Sequence, residues 1–160
     1  MQEIKIRRIE PSDWDVATAL IWRVFLRCNA ADCEQEGIES FLNFISDEHL
    51  RQFCSIGEFD GYGAYIGSRL VGVCMMRQIG HISLLFIDTG YQKTGIGSRL
   101  IEHVSEIAKS KNRVRLTVNA TPFGLGFYKK RGFIQTGETL VKEGVTYTPM
   151  ELRFSGQVRK

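Results

Sequence analysis

The sequence predicts an α/β (α+β) fold: a mixed, mainly antiparallel sheet of roughly six to seven strands flanked by about four helices. Three observations carry this expectation. At 160 residues the chain suits one domain with a core and is short for two, so 1–160 reads as a single domain. Two neighbouring strand patterns meet at a two-residue Gly67-Ser68 turn, which makes them antiparallel. One apolar strand runs straight into a glycine-rich turn and an amphipathic helix, as a parallel crossover requires.

Taken in order, Ile4, Ile6 and Ile9 mark a first strand, and Pro11-Ser12-Asp13 offers a cap for the next helix. That helix, over about 14–28, has Ala17, Leu20, Ile21, Val24, Phe25 and Cys28 as its apolar stripe. A second helical region, over about 36–54, carries Ile38, Phe41, Leu42, Ile45, Leu50 and Phe53, with a new cap at Ser46-Asp47. Strands 59–66 and 70–79 form the hairpin. His81-Ile82-Ser83-Leu84-Leu85-Phe86-Ile87-Asp88 is apolar on both faces in its second half, as a central strand is.

The helix opened by Gly95 places Ile96, Leu100, Ile101, Val104, Ile107 and Ala108 on one face. It ends among Lys109-Ser110-Lys111, where cations suit its dipole. Val114, Leu116 and Val118 alternate with polar residues as a further strand, and a short helix over 122–131 stops at Gly132. Two final strands, 133–141 and 145–154, turn at Glu143-Gly144.

With 43% hydrophobic and 24% charged residues, the composition excludes disordered and collagen-like classes. No run approaches the ~18–20 apolar residues of a bilayer span. The start, Met1-Gln2-Glu3-Ile4-Lys5, has no apolar signal core. A cytoplasmic protein with no membrane partner is expected. Cys28, Cys33, Cys54 and Cys74 form no Cys-x-x-Cys pair, and His49, His81 and His103 are scattered, so no metal is expected. The cysteines read as free thiols, with a Cys28–Cys33 bridge left open.

The net charge of +3 divides unevenly: residues 1–90 hold 8 basic and 13 acidic side chains, and residues 91–160 hold 13 and 5. Halves of −5 and +8 predict two partners of opposite sign. Nucleic acid is not expected among them, because Lys129-Lys130-Arg131 and Arg113/Arg115 fall on different elements and no reading motif is present.

Gln92-Lys93-Thr94-Gly95-Ile96-Gly97-Ser98 lies between a buried strand and a helix, so its amides can converge on one anion. It is not a dinucleotide fingerprint, since Leu100 stands where a third glycine belongs, and it lacks the Gly-Lys-Ser/Thr of a Walker loop. A purely structural strand-turn-helix is the alternative. The pattern resembles the pyrophosphate loop of the GNAT superfamily of acetyl-CoA-dependent N-acetyltransferases. Val118-Asn119-Ala120 and Gly126-Phe127-Tyr128-Lys129-Lys130-Arg131-Gly132-Phe133 resemble, in order, the family's Asn and Phe-Tyr-x-x-x-Gly-Phe segments. The resemblance runs from Ile4 to Phe154, with its motifs within 81–133. It departs at Lys93, where Gly is common, and at Asp88-Thr89-Gly90-Tyr91, which lacks a frequent proline.

The resemblance implies acetyl-CoA as cosubstrate, without a metal, and direct acetyl transfer to a primary amine in a ternary complex. It implies that the main chain of Phe86 and Ile87 takes the pantetheine arm as an added strand, one N–H steadying the oxyanion. The amides of Gln92, Lys93, Thr94, Gly95, Ile96, Gly97 and Ser98 would take the pyrophosphate. Asn119, Phe127 and Lys130 would border the cofactor.

Tyr128 is the expected proton donor to the departing thiolate, a phenol of pKa about 10 facing a thiol near 8.5; helix packing is its alternative role. His81, eleven residues before Gln92, is the expected base, with strand termination as the alternative and Glu10, Glu58 and Asp60 as further candidates.

The acidic residues Asp32, Glu34, Glu36, Glu39, Asp47 and Glu48 lie where this family shapes its acceptor pocket and suggest a cationic small molecule or peptide; a solvated helix face is the alternative. A non-catalytic acyl-CoA-binding sensor or subunit of the same fold is the alternative to an enzyme, and a homodimer is left open.

Overall fold

A computed structural model describes residues 3–155, the side chain of Asp47 lying outside the description. Its strands are β1 (Ile4–Arg8), β2 (Phe59–Ile66), β3 (Arg69–Arg77), β4 (His81–Ile87), β5 (Arg115–Ala120), β6 (Ile134–Gln135), β7 (Leu140–Lys142) and β8 (Val145–Arg153). They form one sheet in the order β1-β2-β3-β4-β5-β8-β6, with β7 also paired to β8. Every pairing is antiparallel except β4 with β5. The helices are α1 (Trp14–Cys28), α2 (Gln35–Phe44), α3 (Asp47–Ser55), α4 (Ile96–Ser110) and α5 (Leu125–Lys130).

The predicted architecture holds, with local differences. The 36–54 region is two helices, because the Ser46 hydroxyl accepts the His49 N–H at 3.3 Å and starts α3. β3 stops at Arg77: Gly80 takes φ +96 and donates its N–H to the Arg77 carbonyl, leaving Ile79 exposed. α5 starts at Leu125 rather than 122, because the Thr121 carbonyl ties the Gly124 and Leu125 amides into a turn. The predicted strand 133–141 is broken into β6 and β7. The intervening stretch is held to β8 through Thr136 N–H to the Pro149 carbonyl and Thr139 Oγ1 to Thr148 Oγ1 at 2.6 Å. All four cysteines are free.

Each sheet face is covered. On one side α4 and α5 bury Ile96, Leu100, Val104, Tyr128 and Phe133 against Ile82, Leu116, Val118 and Met150. On the other, α1 and α3 bury Trp14, Leu20, Ile21, Val24 and Leu50 against Val73, Met75 and Leu84. Strand β4 changes sides between these layers. Met75 pairs with Leu84 and Met76 with Ile82, so Ser83 is an extra residue, a β-bulge. Ile82, Leu85 and Ile87 therefore join the α4 layer, whereas Leu84 and Phe86 join the α1 layer.

The start of β4 is pinned by a polar knot. Asp60 accepts from Arg8 Nη1 at 2.7 Å and Gln78 Nε2 at 2.9 Å, and Lys111 Nζ lies 3.6 Å away. Burial pushes the Asp60 carboxyl upward, but the Arg8 hydrogen bond and charge, with Gln78 and Lys111, outweigh it and hold the pKa below its ordinary value. Asp60→Asn is expected to cost about 1 kcal/mol of stability at pH 7, the exposure of Arg8 limiting the loss. Because the folded pKa lies below the unfolded one, about 3.9, this contribution is complete above that value. It disappears as pH falls through the folded pKa. Urea titrations of both proteins at pH 7 and in acid will show the two stabilities converging.

Candidate active site

β4 and β5 pair only at His81–Thr117 and Ile82–Val118, after which they part. The Ser83 bulge re-aims β4, while β5 stays paired to β8 from Arg115 to Ala120. Hydrogen-bond phase decides which groups face the gap. The Asp88 N–H donates to the Val71 carbonyl at 2.9 Å in continuation of the β3–β4 register. Alternation from that bond commits the main chain of Leu84 and Phe86 to β3 and turns Leu85 and Ile87 toward β5. Likewise, Phe154 N–H to the Val114 carbonyl at 3.0 Å sets the β5–β8 phase and turns Thr117 and Asn119 toward β4. In agreement, Thr117 N–H reaches the Gly80 carbonyl and the Ile87 carbonyl accepts from Gln92 Nε2, each at 3.0 Å.

The gap thus has the shape of a missing strand, edged by Leu85 and Ile87 on one side and Asn119 on the other. Phe86, expected beside Ile87 in this role, gives way to Leu85. Its main chain belongs to β3 and its ring packs toward Phe41, 5.7 Å between centroids.

The turn after β4 is held by Asp88, a buried residue to which the sequence pattern assigns no role beyond ending the strand. One carboxylate oxygen accepts the Gly90 N–H at 3.2 Å; the other accepts Arg23 of α1 at 3.1 Å. The Thr94 hydroxyl donates to the Tyr91 carbonyl. Lys93 and Gly95 take φ +63 and +93, curling the chain so that α4 begins at Ile96. Among the described residues the amides of Gly95, Ile96, Gly97 and Ser98 donate to no protein group. They are the unpaired N–H groups of a 15-residue helix, whose dipole favours an anion there. Phe127 lies across this first turn: a methyl on Gly97 would come within 3.0 Å of its ring. Lys93 and Lys130 are exposed nearby in the sequence of these elements.

Tyr128 and His81 lie on opposite faces of the sheet. Tyr128 is buried in the α4 layer with Phe127 and Phe133 packed edge-on, their centroids 5.2 and 5.1 Å away. Its hydroxyl has no hydrogen-bond partner among the described residues, and the sealed, unpartnered polar atom there is Ser105 Oγ. The tyrosine oxygen is therefore not completely sealed from solvent. Burial, reinforced by Cys74, pushes the phenol above its usual pKa, so it is protonated at any physiological pH. Cys74 itself, pushed up to about 12 by burial, is no nucleophile.

His81 Nδ1 lies 2.8 Å from Thr117 Oγ1. Burial and then the Arg77 charge hold its pKa below the ordinary value, leaving the ring neutral at pH 7. The tautomer that donates from Nδ1 keeps the Nε2 lone pair available. Of the rival bases, Glu10 and Glu58 are exposed and Asp60 is engaged by Arg8. Two open hollows, about 550 Å³ between β1 and α4 and about 320 Å³ between α4 and the end of β8, lie away from both residues. The described residues contain no group of side chains suited to a metal ion and no helix long and apolar enough to cross a membrane.

The fold and the family to which it belongs are those of an acyltransferase. Residues 29–154 match the family described as acetyltransferase (GNAT) domain, and the chain belongs to that family. Among solved structures it is similar to the PaiA N-acetyltransferase of Thermoplasma acidophilum in complex with coenzyme A. That likeness has a TM-score of 0.81 and 21% identity and covers 95% of this chain and 99% of that one. The uncharacterized protein YyaT of Bacillus subtilis is 24% identical over 72% of this chain and 84% of its own length. A glucosamine 6-phosphate N-acetyltransferase of Trypanosoma brucei brucei is 35% identical over 57 residues, which span 36% of this chain and 39% of that protein.

Two alanine substitutions separate close approach from open space in the turn and the helix that covers it. Gly97→Ala is expected to destabilise the protein by about 1–3 kcal/mol by forcing Phe127 aside. Gly126→Ala, with nothing within 4 Å of the added methyl, is expected to stabilise it by about 0.5 kcal/mol. Denaturant midpoints of the ligand-free proteins measure both.

Proposed function

We propose that the protein transfers an acetyl group from acetyl-CoA to a primary amine, by direct attack in a ternary complex. The observation that carries this reading is the strand-shaped gap between β4 and β5, which opens beside unpaired helix amides. The pantetheine arm fits as the missing strand between β4 and β5, bonded to Leu85, Ile87 and Asn119. The pyrophosphate fits the turn from Gln92 to Ser98, with Lys93 and Lys130 as accessible cations and Phe127 as a wall. This assigns the basic half of the chain its anionic partner.

The acceptor approaches from the α1–α2 face, where His81 lies. His81 relays the ammonium proton away, directly or through water, and the free amine attacks the thioester carbonyl. The Leu85 N–H, aimed into the gap, steadies the oxyanion. The new C–N bond forms as the C–S bond breaks, the Tyr128 hydroxyl supplies the proton that the departing thiolate takes up, and the second proton shed by the nitrogen as it becomes an amide restores the phenol through water. A raised phenol pKa keeps that proton in place until the thiolate's negative charge develops beside it. Asp32, Glu34, Glu36 and Glu39 stand exposed along the α1–α2 connection and the start of α2, which favours a cationic amine, small molecule or peptide. Similarity to glucosamine 6-phosphate N-acetyltransferases covers too little of either chain to name a sugar.

Thiol release from acetyl-CoA across an amine panel tests the reading. Tyr128→Phe is expected to lower kcat about 10²-fold or more while leaving the KM for acetyl-CoA nearly unchanged. Tight coenzyme A binding without thiol release from any amine would establish the sensor reading instead.

The pH profile tests the base. Because the His81 pKa lies below 6.5, wild-type kcat is expected to hold from pH 8 to about 6.5 and to fall below it. His81→Ala, dependent on the small fraction of free amine, should lose about tenfold in rate per pH unit across the same range. Parallel profiles for the two proteins would remove His81 from the mechanism.

A further inference from the structure

The turn after β4 is strained at a residue whose own side chain opposes the conformation. Lys93 takes φ +63, a left-handed backbone that a Cβ disfavours and that Gly95, at +93, adopts without penalty. Such a residue stays in place only where its surroundings hold it. Were Lys93 to relax to extended backbone, the amides from Gln92 to Ser98 would no longer share a direction.

The bonds within the turn, Thr94 hydroxyl to the Tyr91 carbonyl and Tyr91 N–H to the Asp88 carbonyl at 2.8 Å, move with it and cannot fix its place. The external bonds converge on Asp88 and α1. The Asp88 N–H is anchored to the Val71 carbonyl of β3 at 2.9 Å. Its buried carboxylate is divided: Oδ1 accepts the Gly90 N–H at 3.2 Å, and Oδ2 accepts Arg23 at 3.1 Å with Arg69 3.9 Å away. Arg69 also lies over the Tyr91 ring, 5.5 Å from its centroid. A second tie runs from Gln92 Nε2, which donates to the Ile87 carbonyl at 3.0 Å, to Cys28 Sγ at 3.8 Å. Arg23 and Cys28 belong to one 15-residue helix whose Trp14, Leu20, Ile21 and Val24 are buried against the sheet. The helix is therefore a fixed support.

The sign of the Asp88 charge sharpens the point. A carboxylate at the root of an anion-binding turn works against the anion, so its value there has to lie in geometry. We infer that Asp88 is a positioning residue: through Arg23 it mounts the turn on α1, and it thereby sets coenzyme A affinity from the sheet face opposite α4. The inference rests on the reading of this turn as the pyrophosphate site.

Coenzyme A dissociation constants from titration calorimetry, beside thermal unfolding, test the mount in Asp88→Ala, Asp88→Asn and Arg23→Gln. Removal of a negative charge would by itself tighten the binding of an anion. Positioning predicts the reverse, and folded Asp88→Ala is expected to bind coenzyme A about tenfold more weakly or worse. Asp88→Asn keeps an oxygen for the Gly90 N–H but no charge for Arg23, and should lose less. Arg23→Gln should lose about threefold, the exposure of the guanidinium limiting the effect. With any amine that releases thiol, these losses should fall on the KM for acetyl-CoA and not on kcat. Folded Asp88→Ala that binds coenzyme A as tightly as wild type, or more tightly, would overturn the mount. If that variant does not fold, undiminished affinity in Asp88→Asn and Arg23→Gln would overturn it equally. Wild-type protein that binds no coenzyme A would overturn the reading of the turn itself, and the mount with it.

Discussion

The parting of β4 from β5 after two paired residues is the constraint on which the rest of the molecule depends. A parallel pair that stayed zipped would bury its main-chain groups and leave no cleft. The pair opens because a bulge at Ser83 bends one strand while β8 holds the other straight. The cost is a row of unpaired backbone groups at Leu85, Asn119 and the Ile87 amide, the Ile87 carbonyl being taken by Gln92, and such groups seek partners. The Asp60 knot pins the closed end of the gap, and the Asp88 bonds hold the turn at the open end.

The two faces of the sheet divide the chemistry. The α4 face offers helix amides and the buried phenol of Tyr128. The α1–α2 face offers the neutral imidazole of His81, an aromatic stack and an acidic rim. Tyr128 and His81 are both held neutral by burial.

Much of this was legible in the sequence, for identifiable reasons. The Gly67-Ser68 hairpin, the Ser46 cap and the apolar stripe of α4 are local signals, and each formed where its residues indicated. The glycine turn was legible because few residue types curl a chain into a helix start. The phase of β4 was not. Ser83 is one polar residue in an apolar run, and nothing local says that it bulges, so Phe86 and Leu85 were indistinguishable until strand pairing fixed the hydrogen bonds. The role of Asp88 was hidden for a related reason: its partner Arg23 is distant in sequence and near only through the fold. The interrupted strand 133–141 reflects competition between strand pattern and the Thr136–Pro149 and Thr139–Thr148 bonds.

Amide hydrogen exchange, read residue by residue with and without saturating acetyl-CoA, tests the missing-strand account most directly. Leu85, Ile87 and Asn119, together with the turn amides of Gly95 to Ser98, are expected to slow by about tenfold or more on binding. Leu84 and Phe86, already bonded to β3, should be slow in both states. Protection that leaves Leu85 and Ile87 unchanged, or that falls on Leu84 and Phe86 instead, would contradict the account.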